Sequence, residues 1–170
     1  MRFAAVVVAG FLLAGCVGQT VKIDSSFDPK AAEFINKQGE GRIDGHAFFK
    51  KPNGYVMNAA GEVVWLIPAT PYAKERMTRL YGGKKFMPAN AINRAETTDP
   101  KFYEYTRKTK AESTGRFSFD KVAPGDYFLA TNVTWKDNEN DVFSRGGAIY
   151  ETVTVTGKED KIIRVVVNGL

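Results

Sequence analysis

Cysteine occurs once in these 170 residues, at Cys16, and histidine once, at His46. A single cysteine excludes an intrachain disulfide. One cysteine and one histidine also exclude a zinc site assembled from clustered His and Cys. The chain has no internal repeat, no low-complexity tract, and one long apolar run, at residues 3–12. Charge of one sign is scarce too: 24 Lys and Arg face 19 Asp and Glu, a net +5. Spread over this length, that is a weak signature for nucleic acid, and no nucleic-acid motif is present. What is abundant is core material. Hydrophobic residues make up 44% of the chain and aromatics 12%, enough for one domain to fold without disulfide staples.

The beginning "MRFAAVVVAGFLLAGC" gives the lone cysteine a reason. Arg2 is a short positive region, followed by the apolar run and then Leu13-Ala14-Gly15-Cys16. A helix this short reaches roughly 20 Å at about 1.5 Å per residue, less than a bilayer core of about 30 Å. It reads as a signal segment rather than a permanent span. Small residues directly before a cysteine resemble the lipobox of bacterial lipoprotein signal peptides. The resemblance implies that residues 1–15 are removed, that Cys16 takes a diacylglyceryl group, and that the lipid tethers the chain to a membrane. The alternative is an ordinary cleaved signal with a chance cysteine. No Asp follows Cys16; in the best-known sorting scheme this implies the bacterial outer membrane, on its periplasmic face or at the cell surface.

Residues 16–40 read as the lipidated tether followed by one short helix, with Asp28 as N-cap, Pro29 in the first position and Gly39 as the stop. From Gly41 strand signals dominate. "EVVWLIPAT" sets Val63, Trp65 and Ile67 on one face and Val64 and Leu66 on the other, as a strand buried on both sides requires. "TPYAKERMTRLYGG" predicts a helix capped by Thr70, opened by Pro71 and closed by Gly82. Residues 82–100 show no period, and "KFYEYTRKTKAE" alternates as an extended segment does. In "STGRFSFDKVAPGDYFLATNVTW", Phe117 and Phe119, then Tyr127, Leu129, Thr131, Val133 and Trp135, occupy alternate positions around Pro124-Gly125. That spacing predicts a hairpin about a type II turn. Two more strands follow, "AIYETVTVT" and "KIIRVVV". The fold class expected is mainly β, an antiparallel seven-stranded sandwich with one or two short helices.

"TGRFSFDKVAPGDYFLAT" is similar to the second half of carboxypeptidase regulatory-like domains, in which Gly-x-Phe-x-Phe leads to Pro-Gly-x-Tyr-x-Leu. Thr114, Gly115, Phe117, Phe119, Val122, Pro124, Gly125, Tyr127 and Leu129 stand at the matching positions. "GRIDGHAFFKKPNGYVMNAAGEVVWLIPAT" is similar to the first half. The resemblance implies a prealbumin-like (transthyretin-like) sandwich over residues 41–170, with residues 70–112 as an insertion. It implies no activity, because the peptidase beside which this module sits is absent.

The search for chemistry gives little. His46 has Asp44 two residues away but no identifiable nucleophile, and reads as a surface or edge histidine. Hydroxyisourate hydrolases share the transthyretin-like fold, but they need several histidines and a Tyr-Arg-Gly-Ser terminus; this chain ends "VVVNGL". Asp137, Glu139 and Asp141 alternate as calcium ligands can, yet the Gly and Glu of an EF-hand loop are replaced by Val142 and Ala148. No catalytic residue, metal or cofactor is expected. Charge concentrates between residues 71 and 110, where ten Lys or Arg face four acids, a net +6. Lys84, Lys85, Arg107 and Lys108 are the candidate surface for an anionic ligand; the alternative is a solvated insertion whose aromatics pack on the sandwich. The functional expectation is a non-catalytic, lipid-anchored envelope protein that binds or scaffolds an anionic envelope polymer or another envelope protein. The alternative is an accessory subunit or enzyme acting on envelope glycans or peptides, through a cleft lined by carboxylates such as Asp99, Glu104 and Asp137.

Overall fold

The computed structural model describes residues 18–158 and 162–170. The lipobox residues Leu13, Ala14, Gly15 and Cys16, and with them the expected signal peptide and lipidation site, lie outside the described residues. Eleven strands and three α-helices are present among those described. In chain order they are β1 (Thr20–Val21), α1 (Pro29–Ala32), β2 (Gly41–Lys50), β3 (Val56–Asn58), β4 (Val63–Pro68), α2 (Pro71–Tyr81), β5 (Phe86–Pro88), β6 (Arg94–Ala95), α3 (Lys101–Glu104), β7 (Arg107–Lys110), β8 (Arg116–Val122), β9 (Gly125–Trp135), β10 (Arg145–Val155) and β11 (Ile163–Val167).

Two sheets share one core. The larger has the order β5-β10-β9-β4-β7 and is antiparallel throughout. The smaller is built on β2, with β11 along one edge. On the other edge β8 and β3 follow one another, because Ala47 donates its N–H to Gly115 O and accepts at its carbonyl from Ala59 N–H. The antiparallel expectation has one exception here: β11 runs parallel to β2. Outside residues 70–112, the segment 41–170 contributes seven strands: β2, β3, β4, β8, β9, β10 and β11. The segment read as an insertion adds β5 and β7, one at each edge of the larger sheet.

The core follows from period-two alternation. Ile43, Ala47, Val64, Leu66, Leu129, Val133, Ile149 and Val167 are fully buried between the sheets. Trp65 and Ile67 take the opposite face of β4, as their spacing predicts. There they meet a second cluster in which Tyr72, Ala73, Met77 and Tyr81 of α2 and Phe102 of α3 cover Phe128 and Ala148. Helix α2 has the predicted bounds: the Thr70 hydroxyl accepts from Ala73 N–H, Pro71 opens the helix, and Gly82 closes it at φ +58°. Residues 101–104, expected as extended, form α3 instead, because Phe102 buries against Tyr72 and Phe27. The expected helix after Asp28 is α1 followed by a tighter 3-10 turn at Glu33–Asn36.

The predicted hairpin is corrected. β8 pairs with β2, whereas β9 pairs with β4 and β10, so residues 123–124 carry the chain across from one sheet to the other. Alternation fixes which residues face the core but not which neighbour supplies the hydrogen bonds. Gly125 is not the left-handed residue of a type II turn: it starts β9 at φ +157°. Its lack of a side chain makes room for Phe34, whose ring would lie 2.4 Å from an added Cβ. The crossing is fastened by Tyr127, whose hydroxyl donates to Ala123 O at 2.7 Å and whose ring meets Phe34 edge-on. Burial pushes the Tyr127 hydroxyl pKa up to about 12. The two final strands, β10 and β11, belong to different sheets.

The stretch read as a tether is, from Gly18 onward, packed on the domain. β1 pairs with β6, and Phe27 inserts between Tyr72, Phe102 and Tyr105. Between them the Glu75 carboxylate accepts from the Ser25 hydroxyl and from the N–H groups of Asp24 and Ser25. These donors, the Ser25 hydroxyl foremost, hold its pKa at about 2 instead of 4.5. A depressed carboxylate pKa stabilises the attachment above about pH 4.5 and loses that contribution as pH falls through about 2. Exchange protection of the Asp24 and Ser25 amides should therefore decline over this acidic window. In Glu75→Gln the protection should be low at every pH.

Candidate functional site

One end of the shared core opens into a recess of about 470 Å3 lined by Phe49, Phe86, Trp135, Asn90, Ser144 and Arg145, with Pro88, Ala89 and Gly146 between them. Each wall has a local cause. Phe49 lies near the end of β2, at the next position on the core-facing side after Ala47. Trp135 is the last residue of β9, in register with the core-facing Val133 two residues earlier. Phe86 begins β5, which pairs with the first half of β10. Gly146 and Gly147 let the strands close there, since a Cβ on either would come within about 2 Å of the Val133 or Met87 carbonyl.

The three aromatic rings form a stack. Phe49 stacks on Phe86 at 4.2 Å and lies within 8° of parallel to Trp135 at 5.8 Å. All three pack on the core and line the recess. A cationic rim sits over them. The Lys51 ammonium lies 5.5 Å from the Trp135 ring and bonds Asp137 at 2.7 Å, and Arg145 reaches the other oxygen of Asp137 at 3.0 Å. The hydrogen bond from Lys51 is the main reason the Asp137 carboxyl lies below its ordinary pKa. The Trp135 indole N–H is buried and, among the described residues, has no hydrogen-bond partner of normal geometry. An apolar, aromatic concavity of this size with a few polar groups at the rim is the general form of a small-ligand site.

None of the four basic residues named from sequence lines the recess. Lys84 and Lys85 precede β5 at one edge of the larger sheet, and Arg107 and Lys108 begin β7 at the other. Four inter-strand steps, roughly 19 Å, separate the edges. Lys85 is held by Glu151 at 2.7 Å, Arg107 donates to the Asp120 and Lys121 carbonyls, and Lys108 lies 5.8 Å from the Trp65 ring. They are two pairs and not one surface. His46 points from the outer side of β2 toward Asn58 at 3.3 Å, beside Phe48. Asp141 folds back to accept from the Asp137 and Asn138 N–H groups, closing its own loop.

The three carboxylates considered for an enzymatic cleft are also apart. Asp99 precedes α3 and Glu104 ends it, and the helix reaches β4 where Tyr103 meets Trp65, opposite Ala130 of β9. Asp137 lies seven residues farther along the chain from Ala130, on the order of 20 Å in an extended strand. Glycosidase carboxylate pairs need about 5–9.5 Å. Among the described residues, no group of three His, Cys, Asp or Glu could hold a metal ion.

The sequence reading missed Phe49, Phe86, Asn90 and Arg145. Trp135 was placed on the inward face, which is correct, but nothing in its spacing showed that its strand runs out to an open end.

No protein-family model and no curated relative matches the chain. Among solved structures it is similar to a Pseudomonas aeruginosa protein described as a "putative carbohydrate binding protein". The two are 24% identical with a TM-score of 0.67, over 84% of this chain and 98% of the other. At that identity the likeness concerns the fold alone.

Proposed function

We propose that this chain is a non-catalytic binding module of the bacterial envelope, held to a membrane by lipid on Cys16, and that its ligand is a glycan taken in the aromatic recess. The observation that carries the reading is the convergence of Trp135, Phe49 and Phe86 with Asn90, Ser144 and Arg145 around one recess. Aromatic rings in the wall offer apolar contact to the C–H groups of a sugar ring, and amide, hydroxyl and guanidinium groups match its hydroxyls. The similar fold described for a carbohydrate-binding protein fits this reading. The seven strands outside residues 70–112, with β8 crossing to β9 at the Pro-Gly step, support a prealbumin-like sandwich of the carboxypeptidase regulatory-like kind.

Placing the ligand here takes it off the four basic residues, whose charges are divided between two edges, while Phe86 and Asn90 of the same segment help line the recess. It also disfavours the enzymatic alternative, since Asp137 is committed to two cations and stands far from Asp99 and Glu104. Titration with soluble envelope oligosaccharides tests the reading. Saturable uptake that persists in high salt supports it, and failure to bind any of them overturns it. The anchor has its own test: Cys16→Ser should shift the protein out of the membrane fraction, and a variant that stays fully membrane-bound refutes lipidation at this residue.

A further inference from the structure

The loop from residue 136 to 144 carries a feature that glycan binding does not use. Val142 and Phe143 are each 83% exposed, at the tip of a loop whose base is fixed. Asp137 at one end is clamped between Lys51 and Arg145, and Asp141 closes an inner turn by accepting from two backbone N–H groups. The apolar tip is therefore presented to solvent by a braced loop. Tyr55, 70% exposed, stands at the same end, because its carbonyl accepts from the N–H of Lys51, whose ammonium braces Asp137.

The start of the described chain lies there as well. Gly18 donates its N–H to Asn90 O at 2.9 Å, and Asn90 lines the recess with Ser144 and Arg145. Cys16 is two positions before Gly18, a reach of at most about 7 Å. A lipid on Cys16 would therefore enter the bilayer beside the recess and close to this loop.

We propose that Val142 and Phe143, with Tyr55, are a second membrane contact: they dip into the lipid surface that holds the anchor, so that the recess faces material displayed on that membrane. The inference rests on the anchor reading above. The occupant is a lipid surface and not an anionic polymer, because the charges around the tip nearly balance: Lys50, Lys51, Lys136 and Arg145 against Asp137, Glu139 and Asp141. Apolar burial into the headgroup–acyl boundary is accordingly the driving force, and anionic lipid is not required.

The test uses the full protein purified from membranes and reconstituted into phosphatidylethanolamine–phosphatidylcholine vesicles with brominated acyl chains. Phe143→Trp adds a reporter to native Trp65 and Trp135, whose signal is subtracted using the parent protein. The added fluorescence should shift to the blue and be quenched by about half or more by bromines near the glycerol end. Tyr103→Trp, a matching reporter on α3, should be unquenched. An unquenched, water-like signal from the Phe143→Trp reporter overturns the proposal. So does a blue-shifted but unquenched one, which would indicate a protein partner or a second copy on the tip. Intact mass reports acylation of Cys16 separately. Missing acyl mass refutes the anchor reading, whereas an acylated protein whose loop-tip reporter is unquenched refutes only the second contact.

Discussion

Tyr127→Ala should cost about 3–5 kcal/mol of folding free energy, the range for truncating a buried aromatic. That is a large part of the roughly 5–15 kcal/mol that holds a domain folded. Tyr127 is 1% exposed, and it sits at the covalent link between β8 in one sheet and β9 in the other. Its removal opens a cavity beside Phe34 and Val122, and it also frees the Ala123 carbonyl. Tyr127→Phe separates the two contributions. It keeps the ring and loses the hydroxyl, so it should cost about 0.5–1.5 kcal/mol, the net value of one hydrogen bond. Chemical denaturation of the three proteins checks both. If the phenylalanine variant were as unstable as the alanine one, the hydrogen bond to Ala123 and not ring packing would carry the crossing.

That crossing also shows where sequence reading stops. The face of each residue was legible: Phe117, Phe119, Tyr127 and Leu129 are buried as their alternation requires. Their partners were not, because a hairpin and a sheet-to-sheet crossing impose the same alternation on both arms. The bounds of α2 were legible because Thr70, Pro71 and Gly82 act locally, through one capping hydrogen bond, one fixed φ and one left-handed residue. α3 was not, since what makes Lys101–Glu104 helical is Phe102 burying against Phe27, far earlier in the chain. The candidate site lies at the far limit of this difficulty. Phe49, Phe86 and Trp135 come from three strands in two sheets, and each has an ordinary local environment for a strand residue. They become a site only when the ends of those strands meet. The basic residues were conspicuous because they are close in sequence, and the sheet then set them at opposite edges.

Loss of glycan binding in Trp135→Ala is the sharpest expectation for the recess. Truncating a Trp anchor in a well-packed site costs about 2–4 kcal/mol, which is roughly 30- to 1,000-fold in Kd. The ring carries this weight because it is the largest of the three aromatic side chains that line the recess. It also packs on the core, so a loosened β9 end would add to the loss. Trp135→Phe resolves that. A phenyl ring keeps the packing and a smaller stacking face, so melting should stay near the parent while affinity falls by an intermediate amount. Neutralising Lys84, Lys85, Arg107 and Lys108 together should leave sugar affinity unchanged, since none of the four lines the recess and Lys85, next to Phe86, is held by Glu151. Calorimetric titration of the parent, both Trp135 variants and the four-residue variant distinguishes the outcomes. Equal affinity in the parent and Trp135→Ala would remove the recess from consideration. A loss confined to the four-residue variant would return the site to the basic segment, with binding that weakens as salt is added.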